Sequence, residues 1–321
     1  MTADVVVVGA GLAGVACARE LHAAGIGVRV LDRGHVPGGR MASRRLWERR
    51  VDLGASYLTV SDAGFRAVVD DWASRGLAHE WTDTFTALGA GAPETKTGPM
   101  RWGAPGGLRS LVEDLAADLE VERREIAGLD DVDAPVVVLA MPDPQARRLT
   151  GDHPVTAALD REWEPVIALA ARWAERTWDD VSPDGRFHGA FVNDDPDVAW
   201  IADDGRRRGD DAPVLVAHST PERAARHLAE PGGAAPAIIE SVRRHLHVDE
   251  PVDLHVHRWT FARPVGERED SYALVDGPGA LVGVCGDGWG HAPKVETAWV
   301  SGTRLGQALV ARLSAGGSPS T

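Results

Sequence analysis

Cysteine is almost absent: Cys17 and Cys285 are the only two in 321 residues. They lie far apart in the chain and form neither a metal-ligand pattern nor a disulfide framework, which fits a reducing compartment. Lysine is equally scarce, with Lys96 and Lys294 alone. Positive charge is short overall: 34 Lys and Arg against 48 Asp and Glu leave a net −14. That field is wrong for a nucleic acid or an anionic membrane surface, and neither is expected as a partner. Nowhere is there a run of about 18 apolar residues able to span a bilayer. The apolar start, residues 5–18, is interrupted by glycines and preceded by Asp4 rather than by a basic segment. It reads as mature structure in a cytoplasmic protein.

What is present begins with Val5–Val8, a β-branched apolar run of the kind found in a parallel strand buried on both faces. Gly9-Ala10-Gly11-Leu12-Ala13-Gly14 follows at once, a helix then runs to about Ala24, and a second strand over 28–31 closes on Asp32. This is G-x-G-x-x-G in its βαβ setting. Its first glycine permits a tight turn, its second lets backbone approach a pyrophosphate, and its third lets helix and strand pack closely. The helix N-terminus offers free N–H groups to phosphates, and Asp32 stands where a carboxylate accepts from a ribose hydroxyl. A nicotinamide dehydrogenase needs no second phosphate clamp here, yet Gly38-Gly39-Arg40-Met41 supplies one, with Arg40 suited to bidentate bonds to a pyrophosphate. Arg49 and Arg50 read as a solvated basic face.

Further along, helical spacing marks residues 65–72 and 108–119, and 136–139 reads as another buried strand. Segments 166–174, 187–193, 198–202, 213–218 and 252–261 read as strands, and 221–229 and 235–247 as helices. A last buried strand, 280–284, runs into Gly286-Asp287-Gly288 and a final helix over 295–313. Nucleotide-type turns therefore lie at both chain ends. The expected fold is α/β: a Rossmann-like FAD-binding domain (1–60, 100–150 and 260–321) with an inserted substrate domain (61–99 and 151–259) on a largely antiparallel sheet. The small polar tail, 314–321, reads as disordered.

Several stretches resemble the renalase family, FAD-dependent oxidases related to the amine oxidases and built on the hydroxybenzoate-hydroxylase-like two-domain plan. They are VVVVGAGLAGVACARELHAAG, LDRGHVPGGRMASRR, VDLGASYLTVSDAGFRAVVDDW, VVLAMPDPQA, AWIADDGRRRG, HRWTFARP and CGDGWGHAPKVETAWVSG. Three positions depart from that family: Ser56 where it often has Gln, the Gly205-Arg206-Arg207-Arg208-Gly209 turn, and Arg223 where it often has Trp.

The resemblance implies non-covalent FAD, with contacts from Gly9, Ala10, Gly11, Leu12, Ala13, Gly14, Asp32, Arg33, Gly39, Arg40, Met41, Gly54, Ala55, Ser56, Ile126, Gly286, Asp287 and Val295. It also implies oxidation of 2- or 6-dihydro isomers of NAD(P) to NAD(P)⁺, with electrons passed to dioxygen to give hydrogen peroxide. A dihydropyridine loses hydride without a general base, and no nucleophile–His–acid set is visible, so no catalytic residue is assigned. Tyr57, Trp102, His257, Trp259 and Trp289 are the candidates for lining the substrate pocket. His255 and His257 share a strand face with Trp259 but have no third ligand nearby in sequence, so no metal is expected. Cys285 reads as a buried apolar residue, not a flavin attachment. Two other readings stay open: a flavin amine oxidase acting on a small amine, and a flavin-binding redox module without turnover.

Overall fold

The structure, a computed structural model, describes residues 3–316. Two sheets organise them. The first has six strands: β1 (Val5–Val8), β2 (Val28–Asp32), β7 (Val121–Arg123), β8 (Val136–Leu139), β14 (Ala273–Asp276) and β15 (Leu281–Val284). Their order is β14-β15-β8-β1-β2-β7. All neighbours are parallel except β14 and β15. β1 is central and its four valines are buried, as a strand covered on both faces requires. Helices α1 (Leu12–Ala23) and α8 (Val295–Gly316) pack together against it, so the two chain ends share one core. Cys17 and Cys285 meet in that core as free thiols, and burial pushes the Cys285 thiol up to about 12.

The second sheet has seven strands: β5 (His79–Leu88), β6 (Glu94–Gly103), β9 (Trp163–Arg172), β10 (Gly189–Val192), β11 (Val198–Asp203), β12 (Val214–Ser219) and β13 (Asp253–Pro264). Their order is β13-β9-β12-β11-β10-β5-β6. Only β10 and β5 run parallel. Along β9 the side chains alternate faces: Ile167, Leu169 and Ala171 pack under α6 (Pro221–Arg226) and α7 (Ala235–Leu246). Ala168 and Ala170 face the opposite way. There they meet Val51 and Leu53, at and just beyond the end of a hairpin, β3 (Ser43–Leu46) and β4 (Arg49–Asp52), that reaches over from the first domain. The alanines are small, which lets the hairpin seat closely.

The two-domain α/β plan expected from the sequence is the one observed, but its boundaries move. Helix α2 (Ala63–Ser74) packs with α3 (Leu108–Leu115) and α8 around Phe65, Val69, Trp72 and Leu111, so 63–74 belongs with the first domain. Glu296 of α8 accepts from the backbone N–H groups of Ser61 and Asp62 at 2.5 and 2.7 Å, anchoring the start of α2 across 235 residues. Residues 100–103 and 260–264 complete β6 and β13 of the second sheet. Val155 and Leu159, which follow α4 (Asp143–Thr150), pack on the first sheet. Residues 314–316 continue α8 rather than starting a tail, and 317–321 lie outside the described residues. Lys96 lies in β6 and pairs with Glu94. No helix among the described residues is long and apolar enough to cross a membrane.

Candidate functional site

Two glycine turns meet at the end of β1. The Ala10 carbonyl accepts from Gly38 N–H at 2.9 Å. Asp32, ending β2, accepts from Ala10 N–H at 2.7 Å and from Gly34 N–H at 2.6 Å, so one carboxylate holds both turns. The glycines differ in what they answer to. A Cβ on Gly14 would stand 2.0 Å from the Gly9 carbonyl oxygen, and one on Gly9 would stand 2.5 Å from that of Ala140. Those two are demanded by the protein's own packing. A Cβ on Gly11, at φ −76°, would meet nothing nearer than the Gly39 Cα at 3.9 Å. Nothing in the protein requires a glycine there. Its missing side chain leaves open the space in front of the α1 N-terminus, where a pyrophosphate approaches backbone N–H groups. Gly286, on the opposing turn, is open too: a Cβ there would have no neighbour within 4 Å. The residues present therefore fit a dinucleotide.

Arg40 and Asp287 come together across 247 residues, at 2.5 and 2.8 Å in a bidentate pair. The same guanidinium donates to the Ala262 carbonyl at 3.2 Å and lies over the Trp163 ring, 4.8 Å from its centroid. The bidentate bonds expected toward a pyrophosphate are thus made to Asp287, which joins the N-terminal and C-terminal motifs into one wall. A cavity of about 680 Å³ opens beside Trp163.

The Gly54 loop is held from both sides. Ala55 N–H donates to the Arg40 carbonyl at 2.9 Å. From the second sheet, the Trp259 indole donates to the Leu53 carbonyl at 2.8 Å and the Trp200 indole to Ser56 Oγ at 3.0 Å. Arg207 donates to the Ser56 carbonyl at 2.9 Å. Trp259 packs so closely that a Cβ on Gly54 would be 3.2 Å from its ring. His257 stacks edge-on to Trp259, with centroids 4.5 Å apart, and burial first, then the nearby His255 and Arg44, lowers its pKa to about 4. It is neutral at pH 7. Tyr57 sits among Trp81, Phe85 and Trp200, and burial raises its phenol despite the neighbouring Arg101.

Not every expected site residue gathers here. Met41, Leu12, Ala13 and Ile126 are buried in the domain cores, Arg33 is exposed, and Val295 packs at the start of α8. Trp102 is buried and its backbone pairs with Leu58. Trp289 is corrected: it lies buried in the first-sheet core beneath Arg268, whose guanidinium is 3.9 Å from its ring centroid. Arg49 is corrected as well. It is only 12% exposed and pairs with the fully buried Asp204 at 2.8 Å, so it is no solvated face. Sequence reasoning missed Asp52, Asp204, Arg207 and Arg208, whose buried ion pairs join the two domains under the loop. The only signal was the unusual Arg206-Arg207-Arg208 run, which forms the short helix α5 (Asp204–Arg208).

Comparison with known proteins agrees with this geometry. Residues 7–72 match the family model of the NAD(P)-binding Rossmann-like domain. The first domain is a Rossmann-like dinucleotide-binding domain. A 74-residue stretch, 22% of this chain and 15% of the relative, is 46% identical to phytoene dehydrogenase of Streptomyces griseus. Over 98% of this chain and 100% of the other, the fold matches cyclohexylamine oxidase from Brevibacterium oxydans IH-35A, with a TM-score of 0.74 and 14% identity. Wild-type putrescine oxidase bound to putrescine matches 97% of this chain and 100% of its own, with a TM-score of 0.68 and 16% identity. At such identities the shared property is the fold.

Proposed function

We propose that the protein is a cytoplasmic oxidoreductase with non-covalent FAD that oxidises 2- or 6-dihydro isomers of NAD(P) to NAD(P)⁺, dioxygen taking the electrons. The observation that carries the cofactor is the open Gly11 beside Asp32 and the Arg40–Asp287 wall. The amine-oxidase fold and the stretches resembling the renalase family support the reaction class. When bound, FAD supplies a two-electron acceptor that dioxygen can reoxidise.

The chain's own residues suit a substrate that needs no deprotonation. Loss of hydride from C2 or C6 aromatises the ring directly, and with one proton from solvent the two electrons convert dioxygen to hydrogen peroxide. Tyr57 is held protonated and the half-buried His257 neutral. Arg40, Gly54, Ala55 and Ser56 are fixed by the bonds above, so the surface facing the cofactor is preorganised. The amine reading finds less support: both lysines are exposed, so neither stands in an enclosed pocket.

The deciding experiment is stopped-flow flavin bleaching with the purified dihydro isomers, ordinary NADH and small amines. Fast bleaching by the isomers and slow bleaching by NADH is expected. Equal rates with NADH, or bleaching by amines alone, would overturn the substrate assignment. Trp259→Phe supplies a second check. It removes the bond to the Leu53 carbonyl, at a cost of about 1 kcal/mol. FAD content should hold while reduction by the isomers slows. A fall in melting temperature with normal reduction would make Trp259 purely a packing residue.

A further inference from the structure

A second, smaller cavity of about 250 Å³ lies between β3, α3 and β13, lined by Ala42, Ser43, Arg44, Arg45, Leu53, Arg109 and His257. Three of these carry guanidinium groups and none carries a carboxylate. In a chain of net charge −14 that is against the trend, and the buried Arg207 and Arg208 are by contrast tied to acids. Among the described residues Arg44, Arg45 and Arg109 make no ion pair. The acids nearby are already engaged. Asp52 accepts from Arg208, Ser43 and Leu108 N–H, and Glu113 faces Arg50 at 3.7 Å. The Arg109 Nε is buried without a hydrogen-bond partner, and its side chain is pressed against Gly38, where a Cβ would stand 3.0 Å from its Cγ. Glu113 and Asp52 compensate these arginines only in part because other groups engage them, and an anion would relieve both the remaining repulsion and the orphaned donor.

We infer that this cavity binds a small diphosphate-bearing anion. Guanidinium forks match phosphate oxygens bidentately. At about 30 Å³ per water, the space suits a diphosphate group and not a whole dinucleotide. The cavity adjoins the dinucleotide cradle, since Arg109 presses on Gly38 and Leu53 and His257 are shared with the site above, but none of its lining residues belongs to the Gly9–Gly14 turn, to the Gly286–Gly288 turn, or to the set Asp32, Arg40 and Asp287. The inference holds whether the diphosphate is free or an arm of a larger substrate, and it does not rest on the substrate proposed above.

The test is calorimetric titration of the FAD-loaded protein with inorganic pyrophosphate at low salt, flavin absorbance being followed to show that the cofactor stays bound. Arg44 and Arg45 are exposed, so Arg44→Ala and Arg45→Ala leave the fold intact. Each should weaken binding about 10- to 150-fold, the range for a lost charge-assisted bond. Arg312→Ala, whose arginine is exposed and pairs with Asp276 elsewhere, should leave it unchanged. Equal affinity in the Arg44 and Arg45 variants, no binding to the wild type, or binding only to FAD-free protein would each overturn the assignment.

Discussion

Gly11→Ala should strip the protein of FAD while leaving the apoprotein as stable as before. The substituted Cβ meets no protein atom closer than 3.9 Å, and φ −76° is ordinary for alanine. If anything, the apoprotein gains a few tenths of a kcal/mol, because alanine has fewer unfolded conformations than glycine. The methyl group would occupy the space through which a pyrophosphate reaches the α1 N-terminus. Losing two charge-assisted bonds of about 1.5–3 kcal/mol each weakens binding at least 100-fold. Reconstitution of apoprotein with FAD gives the affinity, and a thermal melt without cofactor gives the stability. Unchanged affinity would place the phosphates elsewhere.

Gly14→Ala is the necessary contrast. Its Cβ would lie 2.0 Å from the Gly9 oxygen and 2.9 Å from the Ala140 Cβ, both in the packed junction of α1 with the sheet. That variant should lose stability and cofactor together. It therefore says nothing about ligand contact, in keeping with the packing role that the motif gives its third glycine.

This difference was legible in the motif itself. Strand, turn, helix and acid at the N-terminus are local features with local causes, and each is found where the pattern put it. So are β15 and α8 at the other end. The hairpin β3–β4 was not legible. Its turn residues, Trp47 and Glu48, take φ of 51° and 63°, a geometry that asparagine and glycine normally announce. Within a run of arginines they announce nothing. The hairpin β5–β6 hid for another reason: from Glu94 to Pro99 its edge strand is exposed, so no buried alternation showed. The allegiance of α2 depends on Glu296, and the burial of Arg207 depends on Asp52 and Asp204. Pairings between segments so far apart are set by packing, and periodicity does not carry them.

Arg207→Met should be the most damaging change outside the glycine turns. Arg207 is 1% exposed. It pairs with Asp204 at 2.5 Å and donates to the carbonyls of Ser56 and Asp52 at 2.9 and 3.4 Å. Methionine fills much of the same volume, so the loss is electrostatic. Asp204 is fully buried, and removing one member of such a set costs about 3–5 kcal/mol. Arg208 at 3.2 Å and Arg49 at 2.8 Å still face Asp204, which argues for the lower end. A fall in melting temperature on the order of 10 °C follows. Acid sensitivity should change as well. Burial raises the Asp204 carboxyl, but the charges of Arg208, Arg207 and Arg49 outweigh it and hold the group well below its ordinary range. A depressed carboxyl stabilises the fold above its unfolded pKa of about 3.9, and that contribution is lost as pH falls through the lower folded value. Taking away one arginine lifts the folded value, so the stabilisation is lost at higher pH and the acid-unfolding midpoint rises. Circular dichroism during acid titration reads the midpoint directly. Arg207→Lys keeps the charge but not the fork, so it should restore much of the acid resistance while leaving the Ser56 carbonyl less firmly held. If Arg207→Met melts and unfolds in acid like the wild type, the buried set is not what ties the Gly54 loop to the second sheet.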